Sequence, residues 1–318
     1  MSTLEQTTIA VQVVATRWEA ESIASYEFAA LDGSDLPEWA AGAHIDVHLP
    51  SGLTRQYSLC GDPSERSRYR IAVLEIIDGR GGSAEVHREL RAGRTLQIGL
   101  PRNNFTLADA ERYVFVAGGI GITPLLPMIR QADRAGTPWE LVYGARSAGH
   151  FAFGDELARL GASVRLLAQD VDGHPDFAAL TQDSTGAAVY CCGPSGLMDA
   201  LTEHMDRAGR LTDLNLERFA AAPVGETAPG DGFQVELART GTVVDVGPDE
   251  TVLDAVRAAG VDHPSSCEMG FCGTCETKVL AGEVDHRDDL LTDDERAQGN
   301  CMMICVSRAK CSRLVLDL

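Results

Sequence analysis

No apolar run in the 318-residue chain approaches the 18 or so residues of a membrane span. No membrane association is therefore expected. The N-terminus, Met1-Ser-Thr-Leu-Glu5, lacks a basic stretch followed by an apolar one, which argues against a secretory signal. Positive charge is scarce: 27 Lys and Arg stand against 47 Asp and Glu, for a net charge of −20 at pH 7. Such a surface repels a phosphate backbone, so nucleic acid is excluded as a partner. Internal repeats and low-complexity tracts are absent. Nine cysteines would suit a disulfide-rich secreted protein only if a signal were present; without one they point to a reducing cytoplasm.

Six of those cysteines fall in the last 52 residues, and their spacing is specific. In Cys267-Glu-Met-Gly-Phe-Cys272-Gly-Thr-Cys275 four residues and then two separate the thiols; Cys305 follows after 29 more. C-x4-C-x2-C…C is the spacing of plant-type [2Fe–2S] ferredoxins. A two-iron cluster is small, and a tight loop can bring three sulfurs to it if the backbone passes close. Gly270 and Gly273 remove the Cβ atoms that would keep that backbone away. The fourth sulfur then comes from a later segment. Zinc modules use two short Cys/His pairs, and the later cysteines, Cys301, Cys305 and Cys311, contain no second C-x2-C. Cys301 stands as the alternative to Cys305. Around this motif residues 230–318 carry 17 Asp and Glu against 8 Lys and Arg. The acidic run Asp285, Asp288, Asp289, Asp293, Asp294 and Glu295 reads as a solvated loop, or as a docking face for a basic protein.

Upstream the pattern differs. Residues 8–14, 23–29, 44–49, 54–60 and 69–76 alternate apolar and polar, with turn signals such as Pro50-Ser51-Gly52, and so predict strands of an antiparallel barrel. Two short motifs lie within them. Arg55-Gln56-Tyr57-Ser58 supplies a cation, an aromatic face and a hydroxyl along one strand, the groups a flavin needs. Arg80-Gly81-Gly82-Ser83 opens a short helix over 83–90, and glycines at a helix N-terminus make an anion site. Residues 100–105 read as the hinge out of the barrel.

From residue 113 apolar strands alternate with helical periods, which predicts a parallel sheet covered on both faces. Strands are expected over 113–117, 139–145, 163–168, 188–192 and 214–219, and helices over 151–160 and 195–208. After the first strand comes Gly118-Gly119-Ile-Gly121-Ile-Thr123-Pro124, with Thr123 as helix N-cap and Pro124 at the first helical position. Its glycines do not follow G-x-G-x-x-G. Ligands bind such sheets at the strand C-terminal ends, where Gly118–Thr123, Arg146-Ser147 and Cys192-Gly193-Pro194 lie. Asp170, at the end of a later strand, favours a ribose 2′-hydroxyl over a 2′-phosphate, and hence NADH. Residues 226–232 form a Gly/Pro/polar linker. A hairpin over 233–246, a helix over 252–259 ending at Gly260, and strands over 277–280 and 314–318 surround the cysteine loop.

The two barrel motifs together, the glycine turn with C-G-P, and the cysteine loop resemble the phthalate dioxygenase reductase family within the ferredoxin–NADP reductase superfamily. The resemblance covers nearly all of the chain. It implies a Greek-key flavin-binding β-barrel (1–107), a parallel α/β NAD-binding domain (108–225), the linker (226–232) and a C-terminal plant-type ferredoxin domain of β-grasp type (233–318). It implies FMN held by Arg55 and Ser83, with Gln56 beside them, Arg80, Gly81 and Gly82 at the phosphate, and Tyr57 and Ser58 along the isoalloxazine. The strand Ala72-Val73-Leu74 would run beside the ring. Relatives place a basic residue after that strand; here the residues are Leu74-Glu75. Thr123 and Cys192 would flank the nicotinamide, with Gly118, Gly119, Gly121, Arg146, Ser147, Asp170, Gly193 and Pro194 along the dinucleotide. Phe219 would stack on the flavin. Cys267, Cys272, Cys275 and Cys305 would hold the cluster.

NADH gives up two electrons as hydride and a [2Fe–2S] cluster takes one at a time, so a flavin between them completes a two-to-one converter. The implied function is an NADH-dependent reductase that feeds a Rieske-type oxygenase acting on an aromatic or alkylamine substrate. A stand-alone NADH oxidoreductase reducing small acceptors or another electron-transfer protein is the alternative.

Overall fold

The computed structural model describes residues 8–77, 81–160, 163–182, 186–219, 232–265, 267, 268, 270, 273–288 and 290–318. Arg80, Cys272 and the linker up to residue 231 lie outside them. The chain divides into two compact units, Met1–Phe219 and Ala220–Leu318. Each is described by itself.

The first unit opens with six antiparallel strands: β1 (Thr8–Ala20), β2 (Ile23–Ala30), β3 (His44–His48), β4 (Thr54–Ser58), β5 (Tyr69–Leu74) and β6 (Thr95–Gly99), with helix α1 (Gly82–Glu89) before the last. Their order is β4-β3-β6-β1-β2-β5. Alternate residues, among them Val11, Val13, Phe28, Ile45, Val47, Ile71 and Ile98, turn inward to one core. The two edge strands then meet through a Leu59–Ile71 bridge and a Cys60 N–H donated to Arg70 O at 2.8 Å. The result is a Greek-key barrel closed by a narrow seam. The expected hinge at 100–105 is tied to the barrel: Arg102 bridges His44, and Asn103 Nδ2 donates to Ala41 O at 2.9 Å.

Next come β7 (Tyr113–Gly118), α2 (Ile122–Ala135), β8 (Trp139–Ala145), α3 (Gly154–Arg159), β9 (Val164–Ala168), α4 (Gln169–Asp172), α5 (Phe177–Gln182), β10 (Ala188–Cys192), α6 (Ser195–Arg207) and β11 (Leu214–Glu217). The five strands are parallel in the order β11-β10-β7-β8-β9. Strand β7 is buried on both faces, as a central parallel strand must be. Tyr113, Phe115 and Ala117 face a core that also takes in Ala20, Ile23, Cys60 and Ala72 of the barrel. Val114 and Val116 face the opposite core with α6.

Three expectations need correction. Helix α2 begins at Ile122 with Gly121 as cap, after a single 3₁₀ turn over Gly119–Gly121, so Thr123 lies inside the helix rather than at its cap. Helix α3 is shorter than the apolar pattern suggested, because Phe153 takes a left-handed conformation at φ 61° and helix begins only after it. Helices α4 and α5, missing from the pattern, fill the passage from β9 to β10.

The second unit contains β12 (Phe233–Leu237), β13 (Thr242–Val246), α7 (Val252–Ala258), β14 (Glu276–Ala281), β15 (Val284–Asp285), α8 (Asp293–Gln298), β16 (Cys301–Met303), β17 (Arg308–Ala309) and β18 (Arg313–Leu316). The main sheet runs β13-β12-β18-β14-β16, with β12 and β18 parallel, and α7 packs Val252, Leu253 and Val256 onto it. This arrangement is a β-grasp. Three of the acidic residues are engaged by the fold, while Asp294 is exposed and Asp289 lies outside the described residues. The Asp288 side chain is fully buried and accepts the Leu291 N–H at 2.9 Å, Asp285 pairs with Arg287 at 2.8 Å, and Glu295 completes a capping box with Thr292 at the start of α8.

Candidate active site and metal centre

The C-terminal edge of the parallel sheet is shaped by glycines that let two backbones touch. A Cβ on Gly121 would lie 2.2 Å from Cys192 O, and one on Gly118 would lie 2.5 Å from Pro194 Cδ. A Cβ on Gly193 would reach Gly118 Cα at 2.9 Å. The β7–α2 and β10–α6 turns thus interlock, which only glycine permits. Gly119 meets nothing within 4 Å and sits at φ 53°, so it serves the turn itself. Thr123 is buried and donates its hydroxyl to Ile120 O at 2.9 Å. The exposed Arg146 and Asp170 are brought together by the Asp170 N–H, which bonds to Arg146 O at 3.2 Å. Ser147 shares a hydrogen bond with His150 Nδ1 at 2.8 Å. Asp172 accepts the Ala168 N–H at 2.8 Å, whereas Asp170 is exposed and lies in α4, just past the strand end where the sequence pattern put it.

The barrel brings its own strand to this edge. Ser58, at the end of β4, is buried and donates to Glu217 Oε2 at 3.5 Å. Glu217 ends β11, in register with Cys192 on β10. Cys192 is fully buried, and burial, with Glu217 nearby, raises its thiol well above the ordinary range. Loss of solvent pushes the Glu217 carboxyl up to about 8; the Ser58 hydrogen bond opposes that shift without cancelling it. Near neutral pH Glu217 is therefore held mostly as the acid. Phe219, two residues on, packs half-buried against the core shared by the two sheets, as does Leu74. Ala72 and Val73 are buried in the wall beside them.

Glu217 was not singled out by the motifs. Its signal, a carboxylate at the end of a parallel strand, gains meaning only once the register opposite Cys192 is known.

A third cluster surrounds the start of α1. Gly81 caps the helix at φ 79°. A Cβ on Gly82 would meet Arg55 Nε at 2.5 Å and Cγ at 2.7 Å, so the missing Cβ is what lets Arg55 lie across the helix N-terminus. Ser83 Oγ lies at the same end, accepting the Ile76 N–H at 3.0 Å. A guanidinium, a hydroxyl and helix N–H groups that converge in this way fit a phosphate. Tyr57 packs its ring on the barrel core, and burial raises its phenol. Gln56 turns instead to Asp46, at 3.5 Å.

In the second unit Cys267, Cys275 and Cys305 are all buried. None of the eight described cysteines is in a disulfide. Cys275 and Cys305 nonetheless place their sulfurs 3.1 Å apart, far beyond a disulfide bond of about 2.05 Å and near enough for one metal ion to reach both. Gly270 has φ 79°, and a Cβ there would meet Val306 Cγ2 at 2.7 Å and Asp288 Cα at 3.1 Å, so the loop is drawn tight. Glu268 also takes a left-handed conformation, at φ 51°, held by Arg257 at 3.0 Å and Ser265 at 2.8 Å. Cys301 lies half-exposed in β16 opposite Lys278. Cys272 is outside the described residues, and among those described no group of three His, Cys, Asp or Glu side chains is placed to hold a metal ion by itself. The paired sulfurs and the glycine-drawn loop fit an iron–sulfur group.

Barrel, nucleotide edge and paired thiols together define an oxidoreductase that couples a nicotinamide site to an iron–sulfur centre. Residues 115–203 match the oxidoreductase NAD-binding domain family and residues 235–310 the 2Fe-2S iron-sulfur cluster binding domain family. Phthalate dioxygenase reductase, solved as a modular structure for electron transfer from pyridine nucleotides to [2Fe-2S], superposes with a TM-score of 0.78 at 38% identity, over 100% of both chains. The reductase subunit of tert-butanol monooxygenase / tert-amyl alcohol desaturase from Aquincola tertiaricarbonis is 41% identical over 98% of this chain and 97% of its own. An intact type IV self-sufficient cytochrome P450 monooxygenase contains a region 44% identical to 98% of this chain, with a TM-score of 0.82, which makes up 41% of that protein. The chain belongs to the phthalate dioxygenase reductase-like family of oxygenase reductases.

Proposed function

We propose that this chain is the reductase component of an oxygenase system, taking electrons from NADH and delivering them singly to a Rieske-type oxygenase. In this reading residues 1–107 bind FMN, 108–225 bind NADH, 226–232 link, and 233–318 hold the [2Fe–2S] cluster. A cytoplasmic location belongs to the same proposal; among the described residues no helix is long and apolar enough to cross a membrane. When bound, FMN would supply the conversion between a two-electron hydride donor and a one-electron cluster.

The chain's own groups prepare that exchange. Arg55, Gly81, Gly82 and Ser83 would hold the FMN phosphate, with Tyr57 and Ser58 along the ring. Thr123 and Cys192 would bracket the nicotinamide. Glu217, an acid near neutral pH and in contact with Ser58, is positioned to hold or move a proton at that hydroxyl. Asp170 would take the ribose hydroxyls and repel a 2′-phosphate. Cys267, Cys272, Cys275 and Cys305 would ligate the iron.

The observation that carries the reading is the Ser58–Glu217 contact, which sets the flavin-type strand of the barrel against the nucleotide edge of the parallel sheet. The test is spectroscopic. Purified protein should contain one FMN and two irons per chain, and anaerobic NADH should bleach the flavin and then the cluster bands. Colourless protein containing one zinc would end the proposal.

A further inference from the structure

The barrel's edge strand is gripped from the parallel-sheet side by a buried charge network. Arg130, on α2, donates through Nη1 to Cys60 O at 2.9 Å and to Gly61 O at 2.5 Å. Its Nε donates to Glu156 Oε1 at 2.6 Å, and Nη2 reaches the same oxygen. Arg70, on β5, donates through Nη2 to Cys60 O and to Glu156 Oε2, both at 3.0 Å. Its guanidinium lies 5.0 Å from the ring centre of Phe153, the residue in a left-handed conformation that starts α3. All three charged side chains are largely buried, with exposures of 15% for Arg130, 17% for Arg70 and 27% for Glu156. Burial alone would raise the Glu156 carboxyl, but Arg130 and Arg70 outweigh it and hold the group below its ordinary range, so it is charged.

What the network holds is main chain. Cys60 and Gly61 lie two and three residues past Ser58, at the seam where β4 and β5 close the barrel. Arg130 lies seven residues after Thr123 on α2, nearly two turns, so both leave the helix on one face about 10 Å apart along its axis. One helix therefore presents Thr123 at its start and, two turns later, fixes the strand that carries Tyr57 and Ser58. Buried ion pairs are weak evidence for stability; the observation here is geometric, since Arg130 holds two consecutive backbone carbonyls.

We propose that Arg130, Glu156 and Arg70 act as positioning residues that set the register of the flavin-bearing strand against the nicotinamide-side helix. The inference rests on the reading of Ser58 and Thr123 given above. Its test uses the whole chain loaded with FMN and cluster, and the same variants without flavin. Arg130→Met and Glu156→Gln should slow flavin reduction by NADH at least tenfold while NADH Kd changes less than threefold and FMN and iron contents hold. In flavin-free protein, amide exchange at residues 59–61 should speed at least tenfold. Arg134→Gln, which removes the exposed pair of Arg134 with Asp62 and the Arg134 Nε bond to Arg130 O at 3.3 Å but leaves the Arg130 side chain its partners, should change neither readout beyond twofold. If Arg130→Met fails to fold, Arg130→Lys, which keeps the charge but not the fork, should give the same two losses. Flavin reduction at the wild-type rate in a folded variant with a lowered Tm would overturn the proposal. If the wild-type flavin is not bleached by NADH, the functional reading falls instead, and the exchange data still show whether the clamp exists.

Discussion

Ser58 and Glu217 lie 159 residues apart in the chain and 3.5 Å apart in space. The hydroxyl ends an edge strand of the barrel and the carboxyl ends an edge strand of the parallel sheet, so a single hydrogen bond reports how the two sheets are set.

That carboxyl gives a pH prediction. Glu217 moves from an ordinary 4.5 to about 8 in the fold. Between those values the folded chain keeps a proton that the unfolded chain has released. Its contribution to stability is complete below about pH 4.5 and is lost as pH rises through about 8. Glu217→Gln should therefore lose less stability than wild type between those pH values, measured by urea unfolding. Its flavin-reduction rate should also lack the inflection near pH 8 expected of the wild type. Parallel pH curves for the two proteins would rule out the assignment.

Arg55 lies across the start of α1 because Gly82 has no side chain. Arg55→Ala should weaken FMN at least tenfold and leave the cluster absorption intact. Protein purified with a full complement of flavin would show that the phosphate is held elsewhere.

The paired sulfurs distinguish two candidate ligands. Cys305→Ser should abolish the normal cluster spectrum, because Cys275 loses the thiol 3.1 Å away. Cys301→Ser, half-exposed in β16, should keep it. The opposite result would reassign the fourth ligand.

The interlocked turns predict a graded series. Gly121→Ala drives a Cβ to 2.2 Å from Cys192 O and should cost about 3 kcal/mol or more, with NADH binding lost in parallel. Gly119→Ala meets no atom but keeps a positive φ, and should cost about 1 kcal/mol. Gly154→Ala has open space at a helix start and should lie within about 0.5 kcal/mol of wild type. Urea unfolding gives all three; equal costs at 119 and 121 would refute the steric account.

Much of this architecture is legible in the sequence because it is local. Alternation marks β2 and β3, an unbroken apolar run marks β7, and thiol spacing marks the cluster loop. Residues whose importance comes from pairing across the fold are not legible. Glu217 matters only through its register with Cys192, and Arg130 only through carbonyls 69 and 70 residues away. Thr123 was misread as a cap because a 3₁₀ turn over two glycines moves the helix start back. Within the acidic stretch Asp288 looked like surface, since a sequence does not show that it turns inward to serve backbone N–H groups.

The narrow seam of the barrel limits how this reductase can be recombined. Strands β4 and β5 complete their closure with arginine donors from both sheets, Arg70 and Arg130 meeting on one carbonyl. A graft that moves the barrel without α2 and α3 would strip Gly61 O of its Arg130 donor and leave Cys60 O to Arg70 alone, opening that edge to another chain. Chimeras joined after Phe219 keep the seam whole; those joined near residue 107 should aggregate.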